Sequence, residues 1–288
     1  MDLDALRIGF IGAGRLGKAL AWTCSRGGLR VAAAASLVRA EADDLARGAE
    51  GCRVLDAQQV ADACDLVFVT TPDAVIRPTA DALQWRPGSY VVHCSGATEV
   101  SDLAKAAADG AAIGGFHPLQ TFGDPEAAAQ SLPGCTITVE ATQPLDAVLV
   151  ALAGRLGCPV NRLPPGARPL YHAAAGYTSQ HVNALLFEAA AMWQSWGASE
   201  AAAVQALLPL VRGTLASIAQ AGLAQGMPGP VSRGDVGSVR KHVQAIEALD
   251  PGRLVLYREL CERTVLLALA GGRIDEATAA RVRDVLAG

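Results

Sequence analysis

Residues 6–20 read Leu6-Arg-Ile-Gly-Phe-Ile-Gly-Ala-Gly-Arg-Leu-Gly-Lys-Ala-Leu20, an apolar strand running directly into Gly12, Gly14 and Gly17. The spacing is G-x-G-x-x-G, and an Ala/Leu-rich helix follows it. The three glycines serve different ends: Gly12 the tight turn, Gly14 the close approach of the backbone to a pyrophosphate, Gly17 the packing of the new helix on the strand. A second apolar strand over residues 29–35 supplies the βαβ context that separates a dinucleotide site from another kind of glycine-rich turn. The expected fold is therefore an α/β Rossmann domain with a mostly parallel, doubly wound sheet. Gly12, Ala13, Gly14, Arg15, Leu16 and Gly17 are its expected cofactor contacts.

The second strand ends in Ser36-Leu-Val-Arg39, where an NAD site normally offers Asp or Glu to the adenosine ribose. Ser36 takes that place, and the nearest acids, Glu41 and Asp43, lie past it on the next helix. Arg39 is near enough to meet a 2′-phosphate, the alternative being a solvated helix-start residue. NADP is accordingly the expected cofactor, with Ser36 and Arg39 among its contacts. Residues 65–70 read as a buried parallel strand emptying into Thr71-Pro72-Asp73, and strands at 89–94 and 111–116 end in His93-Cys-Ser95-Gly96 and His117-Pro118. A doubly wound sheet binds its ligand at the carboxyl edge of its strands, so Thr71, Pro72, Ser95 and Gly96 join the cofactor set. His117 becomes a candidate catalytic residue, weighed against the ordinary alternative of a structural histidine. A strand at 135–140, a helix at 143–156 and a strand at 158–163 complete the first domain. Pro164-Pro-Gly166 is the expected linker, giving a nucleotide-binding domain over 1–165 and an all-helical domain over 166–288.

Residues 168–196 carry Ala, Leu, Val, Phe, Met and Trp on nearly all sides and are expected to form one continuous, buried central helix. At 3.6 residues per turn His172, Gly176, Ser179 and Asn183 share one face, and Tyr177, His181 and Glu188 another. Periodicity leaves open which face meets the cofactor and which a partner helix or subunit. Ser199 is expected to cap a helix running to about residue 222 and kinked at Pro209. A Gly/Pro-rich connection over 226–235 holds Arg233, and Asp235 is expected to cap the helix that ends near residue 249. Two more helices, over 251–270 and 275–286, close the chain.

Composition narrows the partners. The chain has 288 residues, enough for two domains with real cores, and its net charge of -4 comes without a basic stripe, so a small molecule is expected rather than nucleic acid. Seven scattered cysteines without a C-x-x-C pair argue against a metal site or a disulfide framework and for a reducing compartment. No signal-like start and no uninterrupted apolar stretch of membrane length is present in the sequence, so a cytoplasmic protein without membrane contact is expected.

Four further motifs lie in order along the chain: Val-Val-His-Cys-Ser-Gly-Ala at 91–97, His-Pro-Leu-Gln-Thr-Phe at 117–122, Tyr-His-Ala-Ala-Ala at 171–175 and Gly-Pro-Val-Ser-Arg-Gly-Asp at 229–235. With the glycine turn they resemble the Rossmann-like NADP oxidoreductases whose C-terminal helical domain has no assigned function. More distantly the chain is similar to pyrroline-5-carboxylate reductase, ketopantoate reductase and the 3-hydroxyacid dehydrogenases. The resemblance implies a C-terminal domain of the 6-phosphogluconate dehydrogenase C-terminal-like type, a homodimer formed through it, and a small substrate between the two domains. The implied function is hydride transfer to or from a small carbonyl or imine. His117, His172 and Ser179 are the candidate catalytic groups, and Arg233 is available to hold an anionic substrate group. The stretch 174–180 lacks the lysine that serves the hydroxyacid dehydrogenases, so a non-catalytic NADP-binding sensor is the rival function, and a methyltransferase with a similar glycine turn the third.

Overall fold

A computed structural model describes residues 2–288. Among them the chain divides into two compact units, Met1–Ser179 and Gln180–Gly288.

In the first unit the strands are β1 (Ile8–Ile11), β2 (Val31–Ala35), β3 (Arg53–Val54), β4 (Leu66–Val69), β5 (Tyr90–His93), β6 (Ala112–Pro118), β7 (Ile137–Ala141) and β8 (Val160–Arg162). They form one sheet in the order β3-β2-β1-β4-β5-β6-β7-β8. The first six are parallel, and β7 runs antiparallel to β6. The order 3-2-1-4-5-6 is that of a dinucleotide-binding sheet, with the chain reversing direction across it between β1 and β4. The connecting helices are α1 (Arg15–Arg26), α2 (Arg39–Arg47), α3 (Ala57–Ala63), α4 (Asp73–Asp81), α5 (Ala104–Ala108), α6 (Pro125–Ser131), α7 (Leu145–Arg155) and α8 (Arg168–Thr178).

Side chains alternate across the strands, as a period of two requires when both faces are covered. Ile8, Phe10, Leu66, Phe68 and Val92 enter one core with Leu20 of α1, Leu45 of α2 and Leu149 of α7. Ile11, Val67, Val69 and Val91 enter the other with Val60 of α3, Ile76 of α4 and Ala106 of α5. On the first face Phe10 stacks on Phe68 at 5.3 Å, and Phe68 meets Phe116 edge-on at 5.5 Å, so three rings bridge the centre of the sheet.

The second unit contains α9 (Gln180–Gln194), α10 (Glu200–Gln225), α11 (Val236–Leu249), α12 (Pro251–Ala270) and α13 (Glu276–Ala287). Its core lies among α11, α12 and α13, built on Val239, Val243, Leu254, Val265 and Val282. Ser199, Asp235 and Asp275 each accept a backbone N–H three residues on, the capping geometry expected at Ser199 and Asp235.

Three sequence expectations are corrected. The continuous helix over 168–196 is two helices, because Ser179 (φ -124°, ψ -87°) leaves helical geometry, so Asn183 no longer extends the face of His172 and Ser179. Neither piece is a buried centre: the buried residues are Arg168 in α8 and Ala190 in α9. In α10 the non-helical residue is Gly222 (φ 78°, ψ 174°) rather than Pro209. The compact units part at Ser179/Gln180, with α8 in the first of them. α10 itself is long and apolar enough to cross a membrane by length and composition, and Ala203 is its buried residue; Leu210, Leu215 and Leu223 are each at least 60% exposed.

The contact between α1 and its turn supplies a first test. A Cβ at Gly17 would overlap the carbonyl oxygen of Gly12, which is itself tied by a 2.5 Å hydrogen bond from the Thr70 hydroxyl. The Gly12 backbone cannot yield with the Thr70 hydroxyl bonded to it, so Gly17→Ala is expected to lower stability by about 1–3 kcal/mol, read as a fall in the urea midpoint. An unchanged midpoint would show that the turn is looser than this geometry.

Candidate functional site

The glycine turn is locked before any ligand is considered. Gly12 (φ 105°) receives the left-handed conformation that only glycine adopts freely, donates its N–H to Ala35 at 2.8 Å, and has no room for a Cβ against the Thr70–Thr71 backbone. α1 then starts at Gly14 with no side-chain cap and no acidic residue in its first turn. Its leading N–H groups and positive dipole end are left for an external anion.

These groups open on a cavity of about 940 Å3 at the carboxyl edge of the sheet. Gly12, Ala13, Gly14, Arg15 and Leu16 line one side, Ser36, Leu37 and Val38 the end of β2, Thr71, Pro72 and Asp73 the floor beyond β4, and Cys94 and Ser95 the end of β5. A Cβ built on Gly14 meets nothing within 4 Å, so open space lies directly before the helix N-terminus. The Thr71 hydroxyl is a buried polar atom without a hydrogen-bond partner. Nine of the twelve expected cofactor residues line this cavity. The other three do not: Gly17 packs beneath the turn, Gly96 lies one residue past the lining, and Arg39 stands at the start of α2 with its side chain 73% exposed and paired to Asp43 at 3.1 Å.

Next to the Ser95 wall is a cluster that the cavity lining does not include. Gly96 has both a histidine of β6 and a histidine of α8 against it: its Cβ would fall 2.7 Å from His172 Nδ1 and 3.1 Å from His117 Nε2. His117 Nδ1 lies 2.7 Å from the Tyr171 hydroxyl, and the imidazoles of His117 and His172 are 6.5 Å apart. Burial, then the nearby His172 and Arg168, pull the His117 imidazole down to about 4, with Asp73 acting weakly the other way. Burial raises the Tyr171 phenol above its ordinary value. At neutral pH both groups are therefore uncharged, and the 2.7 Å bond runs from the phenol to Nδ1, or from Nδ1–H to the phenol oxygen, according to the imidazole tautomer. His93, also buried, is pulled down to about 3, and its Nδ1 accepts the Ser95 N–H at 3.2 Å. The Ser95 hydroxyl accepts the N–H groups of Ala97 and Thr98, shaping the loop that carries Gly96.

The structure thus brings His117 and His172 together. It places Ser179 at the end of α8, where its hydroxyl donates to the Ala175 carbonyl at 2.9 Å, and Arg233 in a short 3-10 turn of the second unit (Val231–Arg233), exposed. Tyr171, Arg168, Glu140 and His93 escape a reading of the sequence for site residues. Tyr171 has a signal, since it precedes His172 in the motif at 171–175; Arg168 and Glu140 have none, because a buried ion pair across 28 residues leaves no periodic trace.

Residues 2–118 match the family model of a Rossmann-like domain, and residues 135–264 match a domain of unknown function, DUF2520. Three solved structures share the architecture. Protein TM1727 of Thermotoga maritima is 22% identical with a TM-score of 0.75, covering 92% of this chain and 99% of its own. A candidate NADP oxidoreductase, BF3122 of Bacteroides fragilis, is 23% identical at a TM-score of 0.68, with the same coverage of 92% and 99%. Plasmodium falciparum pyrroline carboxylate reductase, solved with NADP bound, is 11% identical at 0.61, covering 99% of both chains. At these identities the likeness establishes the fold. In sequence the chain is similar to 2-(hydroxymethyl)glutarate dehydrogenase of Eubacterium barkeri, 31% identical over 100 residues, which is 35% of this chain and 32% of that enzyme. The match therefore spans about a third of the length of that curated relative.

The two low histidine values set a pH dependence. Folded His117 and His93 take up protons at about 4 and about 3, whereas an unfolded histidine does so near its ordinary value of about 6.5. Protons therefore bind the unfolded chain first, so this contribution is fully present above about pH 6.5 and is lost as pH falls toward about 4. Urea midpoints are expected to decline between pH 7 and pH 5, and less steeply in His117→Asn. Parallel curves for the two proteins would count against a desolvated His117.

Proposed function

We propose that this protein is an NADP-dependent oxidoreductase acting on a small carbonyl or imine. The observation that carries the reading is the uncapped N-terminus of α1 facing open space at Gly14 within a cavity of about 940 Å3. That volume lies within the range of cofactor sites, and the unpartnered Thr71 hydroxyl on its wall suits a polar ligand. The likeness to a candidate NADP oxidoreductase and to a dehydrogenase supports the same reading.

In this reading the first-turn N–H groups of α1 hold the pyrophosphate, and Ser36 with Arg39 meets the 2′-phosphate. The bound nicotinamide supplies or accepts the hydride. His117 offers its Nε2–H to the oxygen or nitrogen of the substrate, and Tyr171 holds the imidazole in that tautomer by donating to Nδ1. A neutral imidazole acting as donor replaces the cationic lysine of the hydroxyacid dehydrogenases. The rival function, an NADP-binding sensor without turnover, is favoured by one observation: α8 carries no lysine. Oxidation of NADPH against a panel of ketones, aldehydes and imines decides between them: the sensor is left standing if wild type binds NADPH and oxidises it with no substrate, and an unchanged rate in His117→Asn would instead remove His117 from the chemistry. Seven thiols without a disulfide suit a reducing compartment.

The apolar surface of α10 is assigned to a second copy of the chain. Leucines exposed at three places along one 26-residue helix exceed what a monomer normally leaves in water. Light scattering at micromolar concentration is expected to give a dimer, and Leu215→Glu to shift it toward monomer; a monomeric wild type would overturn the assignment.

Arg39 provides the test of cofactor choice. A charge-assisted hydrogen bond contributes about 1.5–3 kcal/mol, but a side chain this exposed and already paired with Asp43 sits at or below the low end. Arg39→Ala is expected to weaken NADPH about three- to tenfold and to leave NADH nearly unchanged, measured by calorimetry. Equal affinities of the wild type for the two cofactors, or an equal loss of both in the variant, would sink the preference.

A further inference from the structure

Arg168 is the first residue of α8, and its side chain is completely buried, an unusual place for a guanidinium. It is held from three strands. Nε donates to Glu140 of β7 at 2.6 Å, and NH1 donates to the Ser95 carbonyl after β5 at 2.7 Å. NH2, buried without a hydrogen-bond partner, lies over Gly115 of β6, where a Cβ would occupy the same space. Such a pair is costly to desolvate, and an unmet donor adds to that cost, so net stability is a poor reason for its presence.

Its place on the helix supplies a better one. Residues three and four apart lie on one helix face, so the face anchored at Arg168 presents Tyr171 and His172 one turn later. Those two side chains are the ones that meet His117 and Gly96. We propose that Arg168 is the positioning residue of the His117 site: clamped by Glu140 and the Ser95 carbonyl over Gly115, it fixes the register and roll of α8 so that Tyr171 and His172 close on His117. The same clamp ties the Ser95–Gly96 loop to the helix, so the cavity wall and the histidine cluster are set by one side chain. The proposal rests on the reading of His117 as the site's donor only for its consequence in turnover; the geometry is tested without it.

The test is the titration of His117 followed by NMR, with His117→Asn to assign its resonances, in wild type, Arg168→Lys and Gly115→Ala. Lysine keeps the charge but cannot bond Glu140 and the Ser95 carbonyl together as a planar fork does, and alanine at 115 displaces an otherwise intact arginine. In both variants the His117 midpoint is expected to rise from about 4 by about one pH unit or more as the cluster opens to water, and the shift that marks the Tyr171 hydrogen bond is expected to disappear. A folded variant, judged by circular dichroism, with the wild-type midpoint and the hydrogen bond retained would overturn the proposal. If Arg168→Lys does not fold, Gly115→Ala decides alone. Binding of NADPH is measured on the same wild-type sample: failure to bind would sink the proposed function and leave the result on Arg168 standing.

Discussion

The approach of α1 to its own turn is the constraint on which the rest of the first unit depends. Gly17 lies against the Gly12 carbonyl, Gly12 lies against the Thr70–Thr71 backbone, and the Gly12 N–H is held by Ala35, so β1, β2, β4 and α1 meet at one point with the Thr70 hydroxyl as the side-chain group among them. Anything larger at these positions would push the helix N-terminus off the sheet edge. The Thr70 hydroxyl is spent on the Gly12 carbonyl and Gly14 offers no side chain to cap α1, so the N-terminal N–H groups remain for a ligand. Packing and binding are thus consequences of the same three glycines.

A second use of glycine occurs across the sheet. Gly96 and Gly115 are needed for the room they leave, not for backbone freedom: one accommodates two imidazoles, the other a guanidinium. Gly96 lies just past the end of β5 and Gly115 in the middle of β6. α8 comes down on this region after the Pro-Pro-Gly linker, which is why it packs with the first unit although the sequence places it after the linker. The buried arginine at its start adds specificity to that docking, since a purely apolar contact would tolerate small changes of roll that two hydrogen bonds and a close fit over Gly115 do not.

How much is legible in the sequence follows from the range of the interactions. The βαβ start, the strand ends and the caps at Ser199 and Asp235 are local, and their patterns agree with the structure. The break at Ser179 is hidden because the apolar pattern continues through it, and periodicity cannot register one residue leaving helical geometry. Proline is the stronger local breaker, so the pattern points to Pro209 for the kink in α10, whereas the structure keeps Pro209 within the helix and turns at Gly222. The burial expected over 168–196 fails for another reason: hydrophobic composition tells that a surface wants cover, not whether the same chain supplies it. Tyr171 and His117, 54 residues apart, can be paired only by the tertiary structure.

The cluster also constrains what chemistry the proposed function can use. Two imidazoles and a guanidinium gathered near Gly96 cannot all carry charge, and burial with mutual repulsion settles the matter by pulling His117 down to about 4. Arg168 pairs with Glu140 at 2.6 Å inside the protein. In the proposed function the group offered to a substrate is a neutral imidazole N–H, which is a good hydrogen-bond donor and a weak acid. Such a group stabilises charge as it develops on a carbonyl oxygen while leaving full proton transfer to water or to the product. Under that reading a ketone or aldehyde, whose oxygen becomes an alkoxide, gains more from His117 than a preformed iminium cation, which arrives with its proton and would be repelled by any charge added nearby. The absence of a lysine on α8 then belongs to the same design: a cation there would raise the electrostatic cost of the Arg168 anchor that the site is built on.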